Sequence, residues 1–161
     1  MLTQAQLKEL LHYNPDTGVF TWLVARAGKK IGNIAGSYYK TRYLRIRIFK
    51  KIYQAHRLAW LYIHGEHPLK FIDHINGIGT DNRISNIREC TNAENQQNQR
   101  KAHKDSKTGY LGVYFNKKYQ KYMVQISING KQKTVGLFPD IEVAHQYYLT
   151  VKREFHPFNI L

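Results

Sequence analysis

Cysteine is nearly missing from this 161-residue chain. Cys90 stands alone, so no disulfide can close within the chain and no Cys-x-x-Cys zinc knuckle can form. Acidic side chains are scarce as well: 11 Asp and Glu stand against 25 Lys and Arg, for a net charge of +14. An excess that large makes a polyanion the leading partner, nucleic acid ahead of a membrane surface. No apolar run approaches the roughly 20 residues of a membrane span. Met1-Leu2-Thr3-Gln4 lacks the apolar stretch of a signal peptide. The expectation is a reducing, cytoplasmic setting with no membrane association. The length suits one ordinary domain or two small ones, each with a modest core.

The positive charge is not a tail. Of the 25 basic and 11 acidic residues, 15 and 7 lie at or before Arg100, and the remainder of the chain is basic too. Thr3 and Gln6 form a capping-box pattern ahead of Leu7, Leu10 and Leu11 at helical spacing. A short helix therefore opens the chain, and Asn14-Pro15-Asp16-Thr17-Gly18 ends it. Residues 19–23 read as a strand, and the glycine-punctuated residues 28–36 as loop. In residues 43–49 the even positions are aliphatic and the odd ones basic or aromatic, which puts Arg45 and Arg47 on one face of a strand. That face meets either phosphate or solvent. Residues 56–63 carry Leu58, Leu61 and Tyr62 at helical spacing and stop at Gly65.

After Arg100, residues 101–108 hold almost no apolar side chain and read as a linker. Strands follow at residues 112–115, 122–128 and 133–138, the last two joined by Asn129-Gly130, a type I′ hairpin signal. Asp140 is a good N-cap for a helix patterned on Ile141, Ala144, Tyr148 and Val151, which would cover one face of that sheet.

The chemistry gathers between Asp73 and Asn95. Phe71-Ile72-Asp73-His74-Ile75-Asn76-Gly77 reads as a strand end entering a turn, and residues 84–88 can return as a second short strand carrying Asn86. Thr91 with Glu94 forms another capping box, which places Asn95 in the first turn of a helix. A hairpin packed on a helix can bring Asp73, His74 and Asn95 together. Phosphodiester hydrolysis needs a base to activate water and a cation to stabilise charge on the phosphate and the leaving oxygen. His74 can be the base. One carboxylate and one amide oxygen suit a hard, hydrated cation such as Mg²⁺. Taken singly, an Asp-His pair or an asparagine-rich loop is ordinary turn chemistry, and it is the joint spacing that points to catalysis.

Asp73-His74-Ile75-Asn76-Gly77, Asp81-Asn82-Arg83, Asn86-Ile87 and Thr91-x-x-Glu94-Asn95 resemble the HNH homing endonucleases of bacteriophages. The resemblance implies His74 as general base, Asp73 and Asn95 as ligands of a divalent metal, and Asn86 as support for the base. Asparagine stands where a second histidine is frequent, which favours Mg²⁺ or Mn²⁺ and makes Asn92 a rival ligand. His56-Arg57-Leu58 also resembles a recurrent element of these proteins, in which Arg57 would contact phosphate. A phage-encoded protein would work in the bacterial cytoplasm.

Gly109-Tyr110-Leu111-Gly112-Val113, residues 121–126, Val135-Gly136-Leu137-Phe138 and the helix containing Ala144 resemble an AP2 DNA-binding domain. The resemblance implies a three-stranded sheet laid into the major groove with a helix behind it. Alternation puts Tyr122, Val124, Ile126 and Ile128 against the helix and leaves Lys121, Met123, Gln125 and Ser127 outward. Gln125 could then read adenine, while Lys117, Lys118, Lys131 and Lys133 contact phosphate. The arginines and tryptophans that plant AP2 domains place on this sheet are few here.

The expected fold is α+β: a ββα-metal nuclease module followed by a three-stranded antiparallel sheet with a helix. The expected division is an N-terminal α+β basic region at 1–55, the nuclease module at 56–100, a linker at 101–108 and the AP2-like domain at 109–161. The expected activity is metal-dependent hydrolysis of double-stranded DNA, one strand per monomer, with no obligate protein partner. A DNA-binding regulator that keeps the nuclease fold without cutting is the alternative, and an RNA-binding accessory protein is a third.

Overall fold

Thr3 opens the first helix as its residue type requires. Its hydroxyl accepts from the Gln6 amide at 3.2 Å and the Gln6 side chain accepts from the Thr3 amide at 3.1 Å, capping α1 (Gln4–Leu10). The computed structural model describes residues 1–26, 28–38 and 43–160 of a chain that forms two compact units, residues 1–91 and 92–161. Helical spacing would have carried Leu11 into α1. Instead Leu11 is extended and begins β1 (Leu11–Asn14), which pairs antiparallel with β2 (Val19–Trp22). Alternation decides this locally, because Leu11, Tyr13, Phe20 and Trp22 all point into the core. The turn between them is held by Asn14 Oδ1, which accepts from the amides of Asp16 at 2.9 Å and Thr17 at 3.1 Å.

A three-stranded antiparallel sheet follows, β3 (Ser37–Tyr38), β4 (Leu44–Ile48) and β5 (Lys51–Gln54), in that spatial order. Ile46 and Ile48 face the core while Arg47 faces out. The β4–β5 tip is unusual: Phe49 and Lys50 both take left-handed backbone, at φ 46° and 64°. α2 (Ala55–His64) ends where the sequence says it should, at Gly65 with φ 83°. One core joins these elements, with Leu7, Leu11, Phe20 and Ile46 packed together with Leu58, Leu61 and Ile87. It thus draws on residues from both sides of residue 55.

β6 (Phe71–His74) and β7 (Ile87–Cys90) form a two-stranded antiparallel ladder, with Asp73 opposite Arg88 and His74 opposite Ile87. The returning strand starts later than alternation suggests. Ile84–Asn86 is a 3-10 turn, fastened by the Ile84 amide to the Pro15 carbonyl at 3.2 Å, and Asn86 turns its side chain inward instead of joining the ladder.

The second unit contains α3 (Asn92–Gln97), then β8 (Val113–Asn116), β9 (Lys121–Ile128), β10 (Lys131–Phe138) and α4 (Ile141–Phe155). The sheet is antiparallel with β9 in the middle. Asn129 and Gly130 both have positive φ, 52° and 74°, as a type I′ turn demands. Asp140 caps α4 through Oδ1, which accepts from the Val143 amide at 2.9 Å. Ala144, Tyr148 and Val151 of α4 then close over Val113, Val124 and Ile126. Among the described residues the architecture is a mixture of small antiparallel sheets and four α-helices. Among the described residues no helix is long and apolar enough to cross a membrane.

Candidate active site

The loop between β6 and β7 is built on Asn86. Its Oδ1 accepts from the Asn76 amide at 3.0 Å, and its Nδ2 donates to Asn76 Oδ1 at 3.0 Å and to the Asp81 carbonyl at 2.8 Å. Its own carbonyl accepts from the Ile75 amide at 2.8 Å. Buried polar groups cost roughly 1–3 kcal/mol when left unpaired, so this set of bonds fixes the loop where the residue sits. Asp81 continues the network, accepting from Asn76 Nδ2 at 2.7 Å and from Arg83 Nη2 at 2.6 Å. The hydrogen bonds from Arg83 hold its carboxyl down to about 2.

Inside that frame lies His74, only 4% exposed. Its Nε2 is 3.2 Å from Asn82 Oδ1. The Tyr43 ring stacks at 5.8 Å between centroids, and the His56 ring meets its edge at 5.0 Å. Burial holds the His74 imidazole below its ordinary value, against the pull of Asn82, Asp73 and Asp81. The effect is larger at His56, which burial chiefly, then His74 and Arg57, lower to about 3. Both rings are therefore neutral at pH 7 and pack without charge repulsion. Asp73, the neighbour of His74, is also buried, and its Oδ2 accepts from Arg88 Nε at 3.1 Å and Nη2 at 3.0 Å across the ladder.

The structure places the residues expected to be functional as follows. Asp73 and His74 lie side by side at the end of β6. Asn86 braces the loop, while the amide found against the His74 ring is that of Asn82. Asn95 stands on α3 in the second unit, exposed, as is Asn92. The Arg57 guanidinium donates to the carbonyls of Pro68 at 2.9 Å and Lys70 at 3.2 Å, fastening the segment between α2 and β6. Arg47 is exposed on β4 and Arg45 is half-buried. Lys117, Lys118, Lys121, Lys131 and Lys133 are all exposed. Register sets Lys131 opposite Ile128 and Lys133 opposite Ile126, whereas Gln125 stands opposite Thr134. Gln125 donates to Thr134 Oγ1 at 3.3 Å and accepts from Gln132 Nε2 at 3.5 Å, so it already belongs to a polar row across the sheet.

Sequence reasoning gave no role of their own to Asn82, Tyr13 or Arg88. The last had a signal, an arginine in the strand that returns beside Asp73. Tyr13 had none, because its hydroxyl reaches the Asn82 carbonyl, at 2.7 Å, across 69 positions of chain.

Among the described residues no group of three or more His, Cys, Asp and Glu could hold a metal ion. The oxygen donors present suit a hard cation that keeps most of its water. A carboxylate has about four lone-pair positions, so the Asp73–Arg88 ion pair and a cation can share it. Residues 53–97 match the HNH endonuclease family, a span that runs from β5 to α3 and includes Asp73, His74, Asn82, Asn86 and Asn95. Comparison with curated proteins and with solved structures gives no match. The family match supports a nuclease of the HNH type, for which DNA is the implied substrate.

Proposed function

We propose that this chain is a metal-dependent endonuclease that hydrolyses one phosphodiester of double-stranded DNA, cutting a single strand when it acts as a monomer. The observation that carries this reading is the buried, neutral His74 held beside Asp73 inside the segment that matches HNH endonucleases. In the proposed reaction His74 takes a proton from a water molecule as that water's oxygen bonds to phosphorus. The bond to the 3′ oxygen breaks, and the leaving oxygen takes a proton from solvent. The products are a 3′-hydroxyl and a 5′-phosphate. Asp73 and Asn95 would hold the divalent metal, Mg²⁺ or Mn²⁺. When bound, it would supply positive charge to the phosphate and the leaving oxygen. Arg88 orients the Asp73 carboxylate through the two hydrogen bonds it donates to Oδ2.

DNA docking is assigned to the basic surface. Residues 17–65 contain no Asp or Glu and carry Arg26, Arg45, Arg47, Lys50, Lys51 and Arg57 among their cations. The second unit carries exposed lysines of its own, and an AP2-like use of the β8–β10 sheet belongs to the same proposal. A phage homing role fits the resemblance of the motif.

The test is supercoiled plasmid incubated with protein and Mg²⁺, beside His74→Ala and a chelator. Wild-type protein should convert it to nicked circles, and the variant should lose about 10²- to 10⁴-fold of the rate. Equal nicking by both would remove the assignment. A second reading, a DNA-binding regulator without activity, is favoured by one observation, the Arg88 guanidinium already seated on Asp73. It predicts that wild type and His74→Ala shift a DNA duplex equally and that neither cuts it.

A further inference from the structure

We infer that Asn82 is the positioning residue of the base: its side-chain oxygen locks His74 with the proton on Nε2, so that Nδ1 is the nitrogen that receives the proton from water. The inference rests on the nuclease reading above and names the atom that performs its first step. It begins with the direction of one amide. The oxygen and nitrogen of an asparagine side chain are told apart by their partners. Asn82 Nδ2 lies 3.3 Å from the Thr80 carbonyl, which can only accept, so the nitrogen is on that side. The oxygen therefore faces His74 Nε2, at 3.2 Å, and an amide oxygen can only accept. The ring must donate from Nε2. A neutral imidazole carries one N–H, which leaves the lone pair on Nδ1.

Asn82 can impose this choice because its surroundings fix its place. The residue is 1% exposed, and the N-terminal hairpin β1–β2 with its turn meets residues 82–84 at three points. Tyr13 donates to the Asn82 carbonyl at 2.7 Å, with its own ring packed on Phe20 and Tyr62 at centroid distances of 4.7 and 5.5 Å. The Pro15 carbonyl accepts from the Ile84 amide at 3.2 Å. Gly18 lies so close that a Cβ there would fall 2.5 Å from Asn82 C and Arg83 N. An asparagine that merely formed a turn would bond its own backbone from the surface. This one is buried and reaches a ring eight positions earlier.

The 161-residue chain decides the matter in two measurements. Long-range ¹H–¹⁵N spectra of histidine-labelled protein, without DNA or metal and assigned against His74→Ala, should show His74 protonated at Nε2 and unprotonated at Nδ1. Asn82→Ala should give a mixture of tautomers. In nicking assays with Mg²⁺, Asn82→Ala should lower kcat about 10- to 100-fold with KM for plasmid unchanged. Asn82→Asp, which keeps the acceptor oxygen, should recover most of that loss. Tyr13→Phe, which leaves the ring packing intact, should cost roughly five-fold in kcat. A wild-type ring protonated at Nδ1 would overturn the proposal, as would equal losses from Asn82→Ala and Asn82→Asp. If Asn82→Ala does not fold, the wild-type spectrum and Tyr13→Phe still settle it. A wild-type protein that leaves plasmid intact removes the base role together with the nuclease reading, whereas the opposite tautomer in an active protein removes the Asn82 assignment alone.

Discussion

The β6–β7 ladder and the β8–β10 sheet are both small and antiparallel, and they distribute their polar groups in opposite ways. Around β6–β7 the buried positions include Asp73, His74, Asn82 and Asn86. In the β8–β10 sheet the buried positions are Val113, Val124 and Ile126, and the lysines are outside. A polar group out of water must be paired, so the first region gains geometry with every bond it makes. Exposed lysines are held by little and adapt to whatever phosphate they meet, giving adhesion without register. The difference assigns precision to the loop of the β6–β7 ladder and capture to exposed cations, those of the β8–β10 sheet among them.

The sharpest way to break this comparison is to put the same small side chain on each side of it. Gly18→Ala places a methyl group against the Asn82–Arg83 backbone, at φ 72°, and should cost the first unit about 3 kcal/mol. Gly130→Ala, at φ 74° with nothing within 4 Å, should cost the second only about 1 kcal/mol. Urea unfolding of both variants measures the gap, and equal losses would mean that β1–β2 does not clamp the Asn82 loop.

Capture is tested by Lys117→Gln, Lys118→Gln, Lys131→Gln and Lys133→Gln combined. Each phosphate contact removed should flatten the salt dependence of DNA affinity by about 0.9 in log–log slope, and the set should weaken binding roughly tenfold or more near physiological salt. The nicking rate on saturating DNA should stay unchanged. An unaltered salt slope would place the docking surface elsewhere.

Lys152 is the exception that sharpens the contrast, a cation buried in the second unit, bonded to the Gln99 carbonyl and lowered to about 8 by burial and then by Arg100. The unfolded chain keeps that proton up towards 10.5, so folding releases it at pH values between the two. Stability of this unit should therefore rise with pH from about 8 towards 10.5, and stay lower at pH 7. Lys152→Met should add about 1–2 kcal/mol at pH 7 and abolish the rise. Thermal melts across that range read both effects.

The smallest effect belongs to the two hairpin tips. Phe49-Lys50 bends through left-handed backbone without glycine, whereas Asn129-Gly130 makes the corresponding turn with residues suited to it. Phe49→Asn with Lys50→Gly should stabilise the first unit by about 1 kcal/mol, measured by urea unfolding, and no gain would show that the tip is already relaxed.

Much of the architecture was legible because its signals are local. The Thr3–Gln6 cap, the Gly65 stop, the Asn129-Gly130 turn and the Asp140 cap each depend on residues a few positions apart. What escaped depends on distant partners. Leu11 continues a helical pattern and yet becomes a strand, because Trp22 lies opposite to receive it. β5 gives no clean alternation and is defined by its ladder with β4. Asp73 and His74 were visible as chemistry. Asn82 belonged to a recognisable triplet with Asp81 and Arg83, but its contact with His74 depends on a fold that also buries Tyr13 against it.

The brace between residues 13–18 and 82–84 also bears on how such a protein can be recombined. The segment 53–97 carries the motif but is not a transplantable cassette, since its loop was shaped against a hairpin encoded at the far end of the unit. Exchanging the first twenty or so residues for those of a different protein with an HNH segment would leave Asn82 facing a surface that does not fit it. Those two stretches, remote in the sequence, form one structural part.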